Sequence, residues 1–283
     1  RLAPILGIGS TPDSGDRCGR RGFQMKMGSF AEKYLGPTLT LLAIFVIWEL
    51  AVRIFALPIW LLPAPSKIYG ELGEWWAALP RHIWVTFYET ALGFVAAVIL
   101  GVFLAVAIIS STFLKNTIYP LLVVTQSVPK VALAPILLVW LGINVWPIIT
   151  VAFLVAFFPM VVNMTTGLTL IPPEMLEMSR ILRASWWQVL VKVRFPMAMP
   201  HFFAGVKIAI AFSVIGAVIG EFVGSDSGLG FLILTASARM NTSLGFGAIV
   251  ILSIMGVGLF GVVAGIERLL SPWYLEEEEG PQL

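Results

Sequence analysis

The sequence predicts an all-α membrane protein with about six transmembrane helices, on the basis of two observations. Of its 283 residues, 58% are hydrophobic and only 12% are charged, and the mean hydropathy is +0.93. Soluble domains carry about 25% charged residues, so this chain has too few charges to cover a water-facing surface. Six segments are also long and apolar enough to cross a bilayer, which takes about 20 residues.

We predict the six spans at residues 37–57, 84–109, 118–141, 146–170, 199–223 and 246–270. The third span contains the stretch SVPKVALAP, whose prolines disfavour a continuous helix, so we expect this span to be broken. A short segment with Trp75 and Trp76 lies between the first two spans. Tryptophan favours the membrane–water interface, which predicts an interfacial helix there.

Both ends of the chain are polar. Residues 1–33 have no long apolar run after their charges, which predicts a disordered cytoplasmic segment rather than a signal peptide, with Met25 or Met27 as the natural start. Residues 273–283 include the run EEEE and are predicted to be a solvated acidic tail. Lysine and arginine are concentrated in the N-terminal flank and after the second and fourth spans, which predicts that both termini are cytoplasmic.

Several kinds of site are absent from the sequence. Cys18 is the only cysteine, so an intrachain disulfide is impossible. His82 and His201 are too few for a histidine-rich metal site. The motifs G-x-x-x-x-G-K-[ST], H-E-x-x-H and G-x-S-x-G do not occur. We therefore predict no catalytic residue, metal or cofactor in this chain, and expect any energy source to lie on a partner.

A charged, amphipathic segment from Glu174 to Pro200 separates the fourth and fifth spans. Pro173 suits the first position of a helix, and Ser185 with Gln188 fits a capping box for a second helix. We expect a break near residues 183–185 and an interruption at Pro196. An apolar stripe follows the first helix at Met175, Met178 and Leu182. The segment is either a helix lying on the membrane surface or a knob that docks into another protein.

This segment also carries a resemblance to a known family. The cytoplasmic loop of binding-protein-dependent ABC importer permeases has the motif E-A-A, three residues, G, nine residues, I-x-L-P. The matching positions here are Glu177, Met178 and Ser179, then Val193, Phe195 and Pro196. The runs SVPKVALAPILLVWLGI and PMAMPHFFAGVKIAIAFSVIGAVIGEFVGSDSGLGFLI also resemble the nitrate/sulfonate/taurine branch. The similarity covers residues 37–272.

The resemblance implies a type I importer permease fold over residues 34–272, with a coupling loop at 172–198. In this family the loop docks into a cleft of the ATP-hydrolysing subunit. The residues expected to dock are Glu177, Met178, Arg180, Leu182, Arg183, Ala184, Ser185 and Trp186. Arg183 replaces the glycine of the motif. Because arginine disfavours the left-handed conformation, we expect this turn to close differently.

The resemblance further implies the partners and the location. These are two ATP-binding cassette subunits that hold ATP and Mg²⁺, a second permease copy, and a periplasmic or lipid-anchored substrate-binding protein. The complex would lie in a bacterial inner membrane. The net charge of +2 indicates no nucleic-acid partner. Glycines in the fifth and sixth spans allow close helix approach, either within the chain or in a homodimer. These are Gly216, Gly220, Gly256, Gly258, Gly261 and Gly265.

Polar residues within spans are candidates for the translocation pathway. The predicted set is Gln126, Ser127, Lys130, Asn163, Glu89 and Glu221. Lys130 lies at the break of the third span, where it either faces the pathway, snorkels or pairs with Glu221. Glu89 either lines a cavity or pairs with a base. Glu49 and Arg53, at i and i+4, are explained by a mutual ion pair.

We therefore predict the permease subunit of an ATP-driven ABC importer for a small organic solute or oxyanion. Sulfonate, taurine, nitrate, a pyrimidine nutrient and an aromatic acid remain open as solutes. An ion-coupled secondary transporter is the alternative, but it would require an internal repeat of spans, and none is clear. A membrane-bound enzyme lacks candidate catalytic residues.

Overall fold

The structure, a computed structural model, describes the backbone of residues 25–271 and the side chains of residues 35, 36 and 38–271. The chain divides into two compact units, residues 1–57 and residues 58–283. The predicted acidic tail and residues 1–24 lie outside the described residues.

The first unit contributes helix α1 (Met25–Ile54), which covers most of the predicted span at 37–57. The helix starts well before that span, so residues 25–33 are helical where disorder was expected. Glutamate and lysine in this flank are good helix formers, which lets the helix extend beyond the apolar run. Within α1, Arg53 and Glu49 form the expected ion pair at 2.5 Å.

The described part of the second unit is helical apart from its connections. Its helices are α2 (Pro65–Glu74), α3 (Leu79–Ser110), α4 (Thr112–Thr125), α5 (Ala134–Leu141), α6 (Val145–Thr169), α7 (Pro173–Ile181), α8 (Trp186–Val189), α9 (Phe195–Gly224), α10 (Leu229–Ala238) and α11 (Thr242–Leu270). A 3₁₀ turn (Lys130–Leu133) precedes α5, and a π-helical segment (Leu190–Arg194) joins α8 to α9. This arrangement confirms the predicted all-α fold class.

Four of the described helical segments are long and apolar enough to cross a membrane: α3, α6, the continuous segment Trp186–Gly224, and α11. The pair of α4 and the segment ending with α5 makes a fifth if it counts as one span, and it bends by 84°. The predicted break in the third span is confirmed. It falls at Pro129, which lacks an amide hydrogen and disfavours a helical conformation for the preceding residue.

The core of the second unit is built where α3, α6 and α9 pack together. Ala152 of α6 lies between two glycines, Gly93 of α3 and Gly216 of α9. A Cβ atom at Gly93 would lie 2.6 Å from the Ala152 Cβ, and one at Gly216 would lie 2.7 Å from the Ala152 Cα. Small residues therefore set the separation of all three helices at this level.

The glycines of the fifth and sixth spans behave differently. Gly220 packs against Ile148 of α6, so together with Gly216 it serves packing inside the chain. By contrast, an added Cβ on α11 would meet no atom of the described residues within 4 Å at Gly256, Gly258, Gly261 or Gly265. Gly258, Gly261 and Gly265 share one side of α11 at helical spacing, so this side forms an open face among the described residues.

The end of the unit that holds α2 and α10 has its own small core. Leu79, Leu232 and Leu244 are buried there, and Trp75 packs against them. Asn241 caps α11 by accepting a hydrogen bond from the Leu244 amide at 3.2 Å. The Asn241 amide group also donates to Glu71 of α2 at 2.6 Å, which fixes α2 to the start of α11.

Candidate coupling loop and solute cavity

The first helix of the coupling loop, α7, begins at Pro173 as predicted and ends in a Schellman motif. The Ala184 amide donates to the Ser179 carbonyl at 3.0 Å, and the Arg183 amide donates to the Arg180 carbonyl at 2.9 Å. These two bonds satisfy carbonyl groups that the helix end would otherwise leave without partners.

The expectation that Arg183 would close this turn differently from glycine is wrong. Arg183 itself adopts the left-handed conformation, with φ at +50°. The two hydrogen bonds of the Schellman motif hold it there, because they require a residue with positive φ at this position. The turn therefore keeps the geometry expected of the family's glycine, at a conformational cost of about 1–2 kcal/mol for a residue with a Cβ.

We predict that Arg183→Gly stabilises the loop, because glycine adopts the left-handed conformation without a steric penalty. The expected gain is about 1 kcal/mol in the free energy of local unfolding. It should appear as slower amide hydrogen exchange at Arg183 and Ala184, whose amides make the Schellman bonds. Arg183→Ile is the opposing control and should speed exchange, because β-branched residues tolerate positive φ poorly. Slower exchange in the isoleucine variant would contradict this account.

The second helix of the loop starts with the predicted capping box. The Ser185 hydroxyl accepts a hydrogen bond from the Gln188 amide at 3.4 Å, and the Gln188 side chain accepts one from the Ser185 amide at 2.8 Å. The predicted interruption at Pro196 is wrong, since the helical segment runs unbroken from Trp186 to Gly224. The π-helical segment Leu190–Arg194 lies just before the proline, and Pro196 occupies the first turn of α9, where no amide hydrogen is needed.

The coupling loop presents an exposed apolar surface. Its large apolar side chains with at least 40% exposure are Met178, Ile181, Leu182, Trp186, Trp187 and Val191. Charged or polar side chains surround them and are also exposed: Glu177, Arg180, Arg183 and Ser185. Ala184 is half-buried, and Ser179 is buried with its hydroxyl bonded to the Met175 carbonyl at 2.8 Å. Most residues predicted to dock are therefore accessible.

Arg194 fastens this loop to the neighbouring span. Its guanidinium donates to the Leu168 carbonyl at 2.9 Å, near the C-terminal end of α6. A cation is favourable at that position because helix C-termini carry partial negative charge. In the sequence, Arg194 is only one of the basic residues after the fourth span that indicate topology. Its partner, 26 residues earlier, is a backbone group that no sequence motif marks.

At the opposite end of the membrane unit, Glu221 organises the loop between α9 and α10. This side chain is 1% exposed. It accepts hydrogen bonds from the Thr86 hydroxyl at 2.6 Å and from the Gly230 amide at 2.5 Å. It also accepts one from the Phe231 amide. Glu221 thus satisfies free amides at the start of α10, where a negative charge is favourable.

Two residues of α3 also hold the loop between α9 and α10 in place. Thr86 accepts a hydrogen bond from the Leu229 amide at 2.7 Å, and His82 Nδ1 accepts one from the Gly228 amide at 3.0 Å. Gly228 has φ at +112°, and a Cβ there would collide with the Glu221 carboxylate. Glycine is therefore required at this position, and the loop is held rigidly against α3 and α9.

A cavity of about 410 Å³ lies next to the loop between α9 and α10. Its walls come from the start of α3, the end of α5, the start of α6 and the end of α9. Its polar lining includes Glu89, Asn144, Ser225, Asp226 and Ser227. Glu89 is completely buried, and its carboxyl group pairs with the neighbouring Glu221 side chain. Of the six predicted pathway residues, Glu89 is the one that lines this cavity.

The structure places the other predicted pathway residues elsewhere. Gln126 and Ser127 are exposed at the break between α4 and α5. Lys130 donates to the Gln126 carbonyl at 3.2 Å and lies 4.8 Å from the centre of the Phe158 ring, so the alternative pairing with Glu221 is not observed. Asn163 donates to the Pro159 carbonyl of its own helix at 2.9 Å. The six residues therefore do not form one polar cluster.

Two connections between spans were not predicted. Lys207 of α9 forms an ion pair with Glu267 of α11, and the Glu267 side chain is 7% exposed. The Ser213 hydroxyl of α9 donates to the Thr90 carbonyl of α3 at 2.9 Å. Opposite charges on two different spans were the available signal for the first connection. The second involves a backbone carbonyl, for which the sequence offers no signal.

The comparison with protein families decides the identity. Residues 97–275 match the family described as binding-protein-dependent transport system inner membrane component. The chain belongs to this family. The predicted family and importer function are thereby confirmed: the protein is a multi-pass transmembrane permease subunit of an ABC importer.

Individual relatives agree with this assignment. The permease is 33% identical over 246 residues to the formylaminopyrimidine transport permease protein ThiX of Halalkalibacterium halodurans, covering 84% of this chain and 96% of that protein. It is 29% identical over 238 residues to the putative aliphatic sulfonates transport permease protein SsuC of Bacillus subtilis, covering 81% and 84%. The second relative lies in the predicted nitrate/sulfonate/taurine branch.

A solved structure shows the same fold. The permease superposes on a chain of the MetNI methionine ABC transporter, in an inward-facing conformation, with a TM-score of 0.61 at 22% identity. The superposition covers 68% of this permease and 96% of that chain. The type I importer permease fold is therefore confirmed.

Proposed function

We propose that two copies of the permease form a translocation pathway driven by two ATP-binding cassette subunits, which bind ATP and Mg²⁺ and dock on the coupling loops. The observation that carries this proposal is the exposed apolar surface of the coupling loop, with its charged surroundings. Apolar side chains such as Leu182 and Trp186 would fill a groove of the ATPase. Charges such as Glu177 and Arg180 would fix the position of the loop within that groove.

The continuity of the segment Trp186–Gly224 supports a mechanical role for the loop. A displacement of Trp186 is passed directly into α9, since no flexible break intervenes. Arg194 extends that displacement to the end of α6. We propose that ATP-driven closure of the ATPases moves both coupling loops and thereby opens the pathway at the opposite end of the unit. A substrate-binding protein, periplasmic or lipid-anchored, would deliver the solute there.

The open face of α11 supports a homodimer. An added Cβ at Gly258, Gly261 or Gly265 would meet no atom of the described residues within 4 Å, so a second copy packed on this face would approach closely. We place the permease in a bacterial inner membrane with both termini in the cytoplasm, as the distribution of lysine and arginine indicates. The similarity to a formylaminopyrimidine permease and to a sulfonate permease supports a small organic solute or an oxyanion as cargo.

Co-purification tests this function. The permease, used as bait in mild detergent, should capture an ATP-binding cassette subunit, and Glu177→Lys should lose it because the substitution reverses a charge on the docking surface. ATP-dependent uptake should fall with it by about tenfold or more. Glu74→Lys is the matched control, since Glu74 is an exposed carboxylate in α2 and should leave capture unchanged. Failure of the wild type to capture any ATPase would refute the importer mechanism and favour an ion-coupled transporter.

A further inference from the structure

Helix α11 is held by the rest of the described chain mainly at its two ends. Only 6% of its most apolar stretch is buried, against 28%, 44% and 56% for the other three long apolar segments. Its buried residues at the first end are Ser243, Leu244, Gly245, Gly247 and Ala248, and at the second end Val263 and Glu267. A movement of the helix core therefore reaches the second half of α11 chiefly through the contacts near Val263 and Glu267.

These contacts at the second end lie along one side of α11. Leu259, Val263 and Glu267 stand at positions i, i+4 and i+8, which share a side of a helix. Val263 belongs to the buried core that also contains Leu190, and Leu259 packs against that core. Leu190 begins the π-helical segment between the coupling loop and α9. This end of α11 thus contacts the core where the coupling loop enters it.

The open face of α11, formed by Gly258, Gly261 and Gly265, lies on the other side of the helix. Gly261 precedes Val263 by two positions, and Gly265 precedes Glu267 by two positions. Two residues turn an α-helix by about 200°, so these glycines point away from the core. Helix α11 therefore lies between α9 and the surface on which the second copy is proposed to pack.

One ion pair joins α9 to α11. Lys207 of α9 contacts Glu267 of α11, with side-chain exposures of 30% and 7%. Among the described residues, no other ion pair connects two helices, since the pair of Arg53 and Glu49 lies within α1. Attraction between opposite charges is strong in apolar surroundings and depends on their separation. The pair therefore resists a displacement of α9 along α11.

Stability alone gives a weak reason for this ion pair. Removing two charges from water is costly, and an apolar pair of similar volume often stabilises a buried site equally well. Ionisable residues within membrane spans are accordingly functional candidates. An apolar contact is non-directional and would let the two helices slide, whereas an ion pair fixes their relative position.

We propose that the ion pair of Lys207 and Glu267 passes the movement of the coupling loop from α9 to α11, and through the open face of α11 to the second copy. Lys207 and Glu267 are positioning residues, because they act through the placement of α11. This inference rests on the proposed function and adds the route by which the two copies move together.

Spin labels on the full-length permease test this route without a transported solute. In a Cys18→Ser background, Met197→Cys labels the start of α9 at a position 37% exposed, and Leu269→Cys labels the last turn of α11 at a position 82% exposed. The permease with its ATPase is placed in lipid nanodiscs. Double electron–electron resonance measures the distance between identical labels on the two copies, without nucleotide and with ATP, Mg²⁺ and vanadate. Both distances should change in the wild type.

Variants of the ion pair separate the charge from the contact. Lys207→Met with Glu267→Met leaves no buried charge unpaired, so it should fold and capture the ATPase. It should keep the ATP-driven change at Met197 and lose the change at Leu269. Lys207→Glu with Glu267→Lys should restore the change at Leu269, because opposite charges still meet, whereas each single exchange should lose it. Arg268→Met neutralises an exposed cation on α11 and should leave both changes intact.

The outcomes separate this inference from the proposed function. A change at Leu269 in the methionine pair equal to that of the wild type would overturn the inference, and so would equal responses of the methionine pair and the exchanged pair. A wild type that captures the ATPase and moves only at Met197 would also overturn it, while the proposed function stands. Failure to capture an ATPase, or no dipolar coupling between labels on two copies, would refute the proposed function itself.

Discussion

Gly216→Val is expected to prevent α3, α6 and α9 from packing together. A Cβ at this position would lie 2.7 Å from the Cα of Ala152 and 3.1 Å from its amide nitrogen. Because these are backbone atoms, no side-chain rotation relieves the collision, and α9 must move away from α6. The loss should be about 3 kcal/mol or more in folding free energy. It should appear as a large fall in thermal stability and in the yield of monodisperse protein.

Two other variants make this result specific. Gly261→Val adds the same side chain to α11, where a Cβ meets nothing within 4 Å in the part of the chain that the structure describes, and should fold normally. Gly93→Ala introduces a collision with the Cβ of Ala152. Adding Ala152→Gly should therefore restore part of the stability that Gly93→Ala loses. Wild-type stability in Gly216→Val, or equal losses in Gly216→Val and Gly261→Val, would show that the close contact at Ala152 does not set the helix separation.

Glu221→Ala is expected to release the loop between α9 and α10. The substitution leaves the buried amides of Gly230 and Phe231 without their acceptor, while the Thr86 hydroxyl keeps the His82 carbonyl at 3.2 Å. Each unsatisfied buried donor costs about 1–3 kcal/mol, so the total loss should be about 3 kcal/mol or more. Amide hydrogen exchange should accelerate at residues 228–231, and thermal stability should fall.

Glu221→Gln separates the hydrogen bonds from the charge. Its remaining carbonyl oxygen still accepts from the amides of α10, and its amide group can donate to the Thr86 hydroxyl. The expected loss is therefore about 1 kcal/mol, well below that of the alanine variant. Exposed Glu74→Ala is the control and should leave exchange at residues 228–231 unchanged. Equal losses in the two Glu221 variants would indicate that the charge, rather than the hydrogen bonds, holds the loop.

Sequence patterns predicted most of the elements because each depends on neighbouring residues. Apolar runs of about 20 residues mark spans whatever their partners are. Pro129 breaks the third span, and Ser185 caps the second helix of the coupling loop, through contacts within a few residues. The sequence did not predict that the helix continues through Pro196. This continuity depends on the π-helical segment just before the proline, which the preferences of proline alone do not reveal.

The assignment of single polar residues was less predictable. Glu89 and Glu221 look alike in the sequence, as lone carboxylates within spans. In the fold, Glu221 accepts hydrogen bonds from backbone amides that hold a loop, whereas Glu89 is fully buried and pairs with the Glu221 side chain. The difference arises from Gly230 and its neighbours, which reach Glu221 only because the chain turns back after α9.

The sequence by itself determined the membrane class, the approximate spans, the coupling loop and the family, since these are encoded in composition, local spacing and motifs. Only the tertiary structure decided that Ala152 of α6 packs between glycines of α3 and α9, that Arg183 adopts a left-handed conformation, and that Arg194 ties the loop to α6. The physical reason is that packing distances and hydrogen bonds to distant backbone groups depend on which segments meet. In an apolar chain, many different segments satisfy the same hydrophobic pattern.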